Sequence, residues 1–279
     1  MATPPAILEG IGPDHEGAAL PTIDVNGTKL GYDDTGGPGP AVVLSHSLFF
    51  DRTMFAEQVA EFGRRYRVVS YDHRGQGGSA RSPFVDMDTL AGDAAALITA
   101  LDLGPAHVVG NSMGGFVALR LAARQPELVR SAVVLSTSAD EEGRVENFQA
   151  LLEFARTAGI PEATDALLYT MFGDTTLADR VALLERWRRH FAALDESILI
   201  AAEAVMHRKA VLGELVGCTV PLLVLSGAED HAYSPELSQR IADTAANAQH
   251  VTIRGAGHSL AVEQPVVVND LIADHFAAT

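Results

Sequence analysis

The sequence predicts an α/β protein, a mostly parallel eight-stranded sheet flanked by helices, with a helical block inserted late in the chain. Three observations predict it. Short apolar runs at 41–45, 66–71, 106–109, 131–136 and 220–226 have the composition of strands buried on both faces of a parallel sheet. Segments with helical spacing of apolar residues separate these runs, the alternation that builds a sheet covered by helices on both faces. That rhythm then fails from about Ser138 to Gly217, a gap of some 80 residues that is too long for a plain loop.

In chain order, residues 1–21 are rich in Pro, Gly and Ala and read as an N-terminal arm. Ile23 to Tyr32 alternates around Asn26-Gly27, the signature of a β-hairpin. The strand at 41–45 is followed by a helix at 52–62, and the strand at 66–71 ends in the glycine-punctuated turn Asp72 to Ser79. Leu90, Ala94, Leu97, Ile98 and Leu101 mark an amphipathic helix over 86–101. Helical stretches at 143–158, 162–172, 176–192 and 195–216 fill the gap, so 138–217 is an inserted helical cap on a core formed by 22–137 and 218–279. A helix at 235–246, a strand at 250–253 and a helix at 262–276 complete the chain.

Composition narrows the function classes. A chain of 279 residues with 47% hydrophobic content can bury a large core. The formal charge is −16, and Lys29 and Lys209 are the sole lysines, which argues against nucleic acid or an anionic membrane as partner. No run of about 18 uninterrupted apolar residues suggests a membrane span. The first residues lack the basic region and apolar run of a signal peptide, and the single cysteine, Cys218, suits a reducing compartment. A cytoplasmic protein, monomeric or a small homo-oligomer, is the expectation.

The chemistry gathers at Gly110-Asn111-Ser112-Met113-Gly114-Gly115, which follows an apolar strand and opens a helix of small residues. A serine between glycines at such a strand-to-helix turn sits on a strained backbone with its hydroxyl exposed. Nothing bulky at 110 or 114 blocks the close approach of strand and helix. A serine hydroxyl needs a base, and the base needs an orienting acid. In open α/β sheets such groups lie just past the carboxyl ends of strands. There stand Asp230, in Gly227-Ala228-Glu229-Asp230, and His258, in Arg254-Gly255-Ala256-Gly257-His258. Glu229 and Asp140 are rival acids. The oxyanion site calls for the N–H of Met113 and one from the loop after 41–45, for which Leu48 is the candidate. His46, in that loop, reads first as a brace that bonds loop backbone at the site's edge, and stands also as a candidate substrate-binding residue. Asp72, Arg74 and Ser79 read as a network that locks a turn.

From residue 22 onward the chain resembles the α/β-hydrolase superfamily, whose triads run in the order Ser, Asp, His. Leu44 to Leu48, Tyr71 to Ser79, Gly110 to Gly115, Gly227 to Asp230 and Gly257-His258 are similar to the 3-oxoadipate enol-lactonase branch and its esterase relatives. Ser47-Leu48 carries the likeness, standing where other hydrolases have His-Gly. His46 departs from it by replacing Asn, and Phe49-Phe50 replaces smaller residues. The resemblance implies a serine hydrolase acting on a small to medium carboxylic ester or lactone, with no cofactor and no metal. A C–C hydrolase on a β-diketone and a cofactor-free perhydrolase would use the same triad. A small-molecule receptor on the same fold is the non-enzyme alternative. Epoxide hydrolases and haloalkane dehalogenases need a carboxylate where Ser112 stands.

The insertion supplies Phe148, Phe154, Tyr169, Met171, Phe172, Trp187, Phe191 and Met206, mostly as its own core. Phe49, Phe172 and Trp187 are the candidates to wall the substrate cleft. Arg186 to His190 is a basic cluster in an acidic chain. One of its arginines, or Arg208 with Lys209, is a candidate partner for a substrate carboxylate.

Overall fold

The computed structural model describes residues 20–279, so all but the end of the predicted arm lies outside the described residues. Strands β1 (Thr22–Val25) and β2 (Thr28–Asp34) form the expected hairpin. Its turn places Asn26 and Gly27 at φ 46° and 71°, the left-handed pair that an Asn-Gly turn supplies cheaply. Then come β3 (Ala41–Ser45), helix α1 (Ala56–Phe62), β4 (Arg67–Tyr71), α2 (Met87–Ala100), β5 (Ala106–Asn111), α3 (Met113–Arg124) and β6 (Val129–Leu135). After the insertion follow β7 (Leu222–Gly227), α9 (Pro235–Thr244), β8 (Ala248–Ile253), α10 (Leu260–Glu263) and α11 (Pro265–Ala277).

The eight strands form one sheet in the order β1-β2-β4-β3-β5-β6-β7-β8. β1 and β2 pair antiparallel, as do β2 and β4, and every later pairing is parallel. β3, β5 and β7 are buried along their whole length, as the apolar stretches at their centres require when both faces are covered. Around the sheet α1 packs with α10 and α11, and α2 packs with α3. Crossing from β4 to β3 to β5 puts the loops after β3 and β5 side by side at one end of the sheet.

Between β6 and β7 lie α4 (Val145–Ala158), α5 (Ile160–Met171), α6 (Asp174–Asp179), α7 (Val181–Ala192) and α8 (Ile198–Met206). Three predicted helices are more broken than the pattern implies. The segment 176–192 is interrupted at Arg180, whose backbone (φ −111°, ψ 52°) leaves the helical region; neither glycine nor proline announces the break. The segment 195–216 is α8 plus a separate 3-10 turn, Leu212–Gly217. The last helix is split at Gln264 because Pro265 disfavours a helical residue before it.

Candidate active site

The loop between β5 and α3 is held in one shape by sterics. Ser112 takes φ 51° and ψ −109°, a conformation that L-residues avoid. Its amide donates to the Leu135 carbonyl of β6 at 2.8 Å, tying the turn to the neighbouring strand. A Cβ at Gly110 would lie 2.1 Å from the Gly114 carbonyl oxygen, and one at Gly114 would lie 1.8 Å from that of Ser45. Both glycines are therefore required by backbone contact. Helix α3 starts at Met113, so its unpaired N–H groups and positive end adjoin the Ser112 side chain.

His258 stands in the loop after β8 and its Nδ1 lies 2.9 and 3.0 Å from the two Asp230 carboxylate oxygens. The two side chains are 1% and 0% exposed. Asp230 also accepts the amides of Ala232 and Tyr233 at 2.8 and 2.9 Å, and these bonds fix the carboxylate beneath the ring. Asn111 Nδ2 donates to the His258 carbonyl at 3.0 Å. With Nδ1 facing a carboxylate, the Nε2 nitrogen is the one left for a reacting group. Ser112 and His258 line one cavity, although no hydrogen bond joins them in this structure. Such bonds commonly close only around a substrate. The rival acids are engaged elsewhere: Glu229 accepts from the Thr175 amide and hydroxyl, and Asp140 pairs with Arg240.

The loop after β3 brings Leu48 and Phe49 to the same cavity. His46 does not reach it. Its ring is fully buried, with Nδ1 donating to the Ser47 carbonyl at 2.8 Å and Nε2 accepting the His73 amide at 3.1 Å. Burial holds both His46 and His73 below the ordinary histidine range. His46 is thus the brace under the loop that the sequence favoured, and its alternative placement as a substrate-binding residue is corrected. Phe49 has φ 69°, and its carbonyl accepts a bond from His190 Nε2 at 3.1 Å, a contact from α7 that holds the strained residue.

Trp187 and Phe172 need the same correction. Both are buried with Phe50, whose ring centroid lies 4.5 Å from that of Trp187, 5.1 Å from Phe191 and 6.3 Å from Phe172. They anchor α7 and the end of α5 on the β3 loop and leave the cavity wall to other side chains. The cavity, about 270 Å³, is walled by Leu48, Phe49, Phe148, Leu151, Met171, Val205 and Tyr233, with Asn147, Thr170, Arg144 and His231 adding polar groups.

Glu142 also lines the cavity, as one half of a buried ion pair. Glu142 accepts from Arg208 at 2.7 Å and from the Tyr233 hydroxyl at 2.9 Å. The Arg208 guanidinium lies over the rings of Phe116 and Tyr233, 4.4 and 5.2 Å from their centroids. Burial pushes the Glu142 carboxyl up, but Arg208, the Arg144 amide and Tyr233 outweigh it and hold the group below its ordinary value. Arg208 is already neutralised and is no partner for a substrate carboxylate. In the basic cluster, Arg186 lies over Trp187 and Arg188 pairs with Asp165, and none of its residues lines the cavity. The turn after β4 is locked as expected: Asp72 accepts from the Arg52 amide, the Arg52 guanidinium and the Gly78 amide, while Ser79 donates to the Asp72 carbonyl. Arg74 instead pairs with Asp93 of α2. Among the described residues no cluster of His, Cys, Asp or Glu is placed to hold a metal, and no helix is long and apolar enough to cross a membrane.

Tyr233, Val205, Leu151 and Glu142 were not legible as site residues, and Arg208 was read as a partner for substrate rather than for Glu142. Tyr233 alone carried a signal, lying three residues beyond Asp230.

Comparison with known proteins agrees with this architecture. Residues 42–271 match the model of the family described as the alpha/beta hydrolase family. A provisionally named non-heme bromoperoxidase of Mycobacterium tuberculosis is 31% identical over 265 residues, 90% of this chain and 98% of that protein. The crystal structure of an enol-lactonase from Burkholderia xenovorans superposes with a TM-score of 0.86 at 32% identity, covering 92% of this chain and 100% of the other. A thermophilic esterase from Thermogutta terrifontis gives 0.85 at 28% identity, covering 94% and 99%.

Proposed function

The chain belongs to the alpha/beta hydrolase family, in its enol-lactonase-like branch, and we propose that it is a serine hydrolase cleaving a small to medium carboxylic ester or lactone. The observation that carries the proposal is the Asp230–His258 pair opening onto the same cavity as Ser112 at its strained turn. Ser112 Oγ attacks the substrate carbonyl while His258 Nε2 takes its proton. Asp230 holds the ring in the tautomer with hydrogen on Nδ1 and stabilises the imidazolium. The amides of Leu48 and Met113 receive the oxyanion, Met113 with the support of the α3 N-terminus. Collapse breaks the bond to the alkoxy group, which leaves with the proton from His258. Water, deprotonated by the same imidazole, then releases the acid and restores Ser112. None of these steps calls on a cofactor.

The wall suggests the substrate. Its volume falls below the range of about 300–1,000 Å³ typical of drug-sized pockets, and its surface is mostly apolar. A short or compact acyl group fits it best. Helices α4, α5 and α8 supply Phe148, Leu151, Met171 and Val205, which supports residues 138–217 as a cap over the site. The likeness to a bromoperoxidase favours one second reading: with hydrogen peroxide in place of water, the same acyl-enzyme would release a peracid.

Proton release in a pH-stat tests both. The panel holds short alkyl esters, aromatic esters, lactones and β-diketones, with and without peroxide, on wild type and Ser112→Ala. Multiple turnovers on an ester or lactone that vanish in Ser112→Ala are the expected result. Activity that survives in the variant removes Ser112 from the reaction. Tight ligand binding without turnover points to a receptor instead.

A further inference from the structure

Asp230 and His258 stand on separate loops, after β7 and β8, and one short segment of the insertion, 173–175, is bonded to the first through Glu229 and tied to the second through Glu263 of α10. The Glu263 carboxylate is buried and accepts three backbone N–H groups. Oε1 takes those of Gly257 and Ser259, each at 3.0 Å, and Oε2 takes that of Gly173 at 2.8 Å. Gly257 and Ser259 flank His258, so this carboxylate fixes the backbone on both sides of the imidazole. Glu229, beside Asp230, accepts the Thr175 amide and hydroxyl, each at 2.7 Å. Between these two clamps the backbones are in contact. A Cβ at Gly257 would lie 2.2 Å from the Gly173 nitrogen, and one at Gly173 would lie 2.7 Å from the Gly257 nitrogen.

Burial raises the Glu263 carboxyl above its ordinary range, and Gly173, the Thr176 side chain, Gly257 and Ser259 offset part of that rise. A charge so placed is costly unless its oxygens are satisfied, and here backbone amides satisfy it. The segment it grips also adjoins the substrate space: Tyr169, Thr170 and Met171, at the end of α5, line the cavity just before Gly173.

The geometry points to Glu263 and Glu229 as positioning residues that join the seat of the insertion to the acid–base pair. Neither lines the cavity, so each acts through the backbone of the loop that carries His258 or Asp230. Substrate pressed against the end of α5 thereby bears on the alignment of the imidazole. This inference rests on the serine-hydrolase reading.

The test compares Glu263→Gln and Glu229→Gln with wild type, Ser112→Ala and Val268→Ala, a core truncation in α11 that serves as the stability control. Each is assayed on the best ester or lactone of the panel, with thermal melting measured alongside. Glu263→Gln is expected to lower kcat about 10- to 100-fold with KM within about threefold, because small misplacement of a catalytic group costs about that much. Its inactivation by an organophosphonate is expected to slow in parallel, with a shifted midpoint in the pH profile. Glu229→Gln is expected to lower kcat severalfold, and Val268→Ala to lose stability with kcat within about twofold. Folded Glu263→Gln and Glu229→Gln variants with kcat within twofold of wild type would overturn the inference. So would kcat losses no larger than that of a Val268→Ala protein of equal stability. Should Glu263→Gln fail to fold, Glu229→Gln decides alone by the same criterion. Activity persisting in Ser112→Ala would overturn the serine-hydrolase reading and this inference together. An inactive Ser112→Ala beside fully active Glu variants would overturn this inference alone.

Discussion

Ser112 is held by contacts that its own side chain does not make: the Leu135 carbonyl fixes its amide, and two glycines give the turn room. The proposed chemistry can therefore be removed without disturbing the fold. Ser112→Ala is expected to lose about 10³-fold or more in kcat with an unchanged melting temperature. Asp230→Asn, which favours the wrong imidazole tautomer, is expected to cost about 10⁴-fold. Steady-state kinetics beside a thermal melt check both, and a kcat loss that only tracks lost stability would contradict the assignment. Asp230 and His258 were legible as candidates because both sit in short loops at strand ends, and glycine frames Ser112 and His258. His46 was half legible. A bracing role in the loop after β3 was legible, but the particular partners, the Ser47 carbonyl and the His73 amide, were not. Arg208 was legible as a candidate cation, but its partner Glu142 was hidden because their pairing spans 66 positions.

The elements divide according to what specifies them. Strands β3, β5 and β7 could be read directly, since a run of Val, Leu and Ala bounded by turns has few alternatives to a doubly covered strand. The β5–α3 turn is specified as sharply, and Gly114→Ala, with its Cβ against the Ser45 carbonyl, is expected to abolish soluble expression. A folded, active Gly114→Ala protein would contradict the steric account. The insertion was harder to read because its helices pack mostly on one another and on the β3 loop. Trp187 illustrates this: an aromatic residue in a cap suggests a pocket, yet its ring is spent on Phe50 and Phe191. Trp187→Ala is expected to cost about 3–5 kcal/mol in urea denaturation, as large core truncations do. A cost under about 1 kcal/mol would mean that α7 is not anchored there.

At the scale of the whole molecule, burial sets the response to acid. His46, His73, His107, His250 and His275 are all held below the ordinary histidine value chiefly by burial, His107 to about 4. On acidification the unfolded chain takes up protons near the ordinary value of 6.5, whereas folded His107 stays neutral until about pH 4. Stability is therefore expected to fall as the pH drops through that window, and His107→Gln should flatten the loss in a series of thermal melts. A melting temperature independent of pH from 6.5 to 4 would contradict this. The depressed carboxyl of Glu142 adds to the decline below its ordinary 4.5, where the unfolded chain takes up a proton while the folded carboxylate, held by Arg208, stays ionised. Overall topology was legible because strand–helix alternation leaves few arrangements. The joint between insertion and core was not, because it is made by backbone amides and two carboxylates far apart in the chain. The central claim is that Ser112 is the nucleophile, and stoichiometric labelling with a fluorophosphonate, followed by peptide mass mapping, tests it most directly. The account predicts one adduct per chain, carried on Ser112 and lost in both Ser112→Ala and His258→Ala. An adduct on another residue, or none at all from a folded protein that hydrolyses esters, would contradict it.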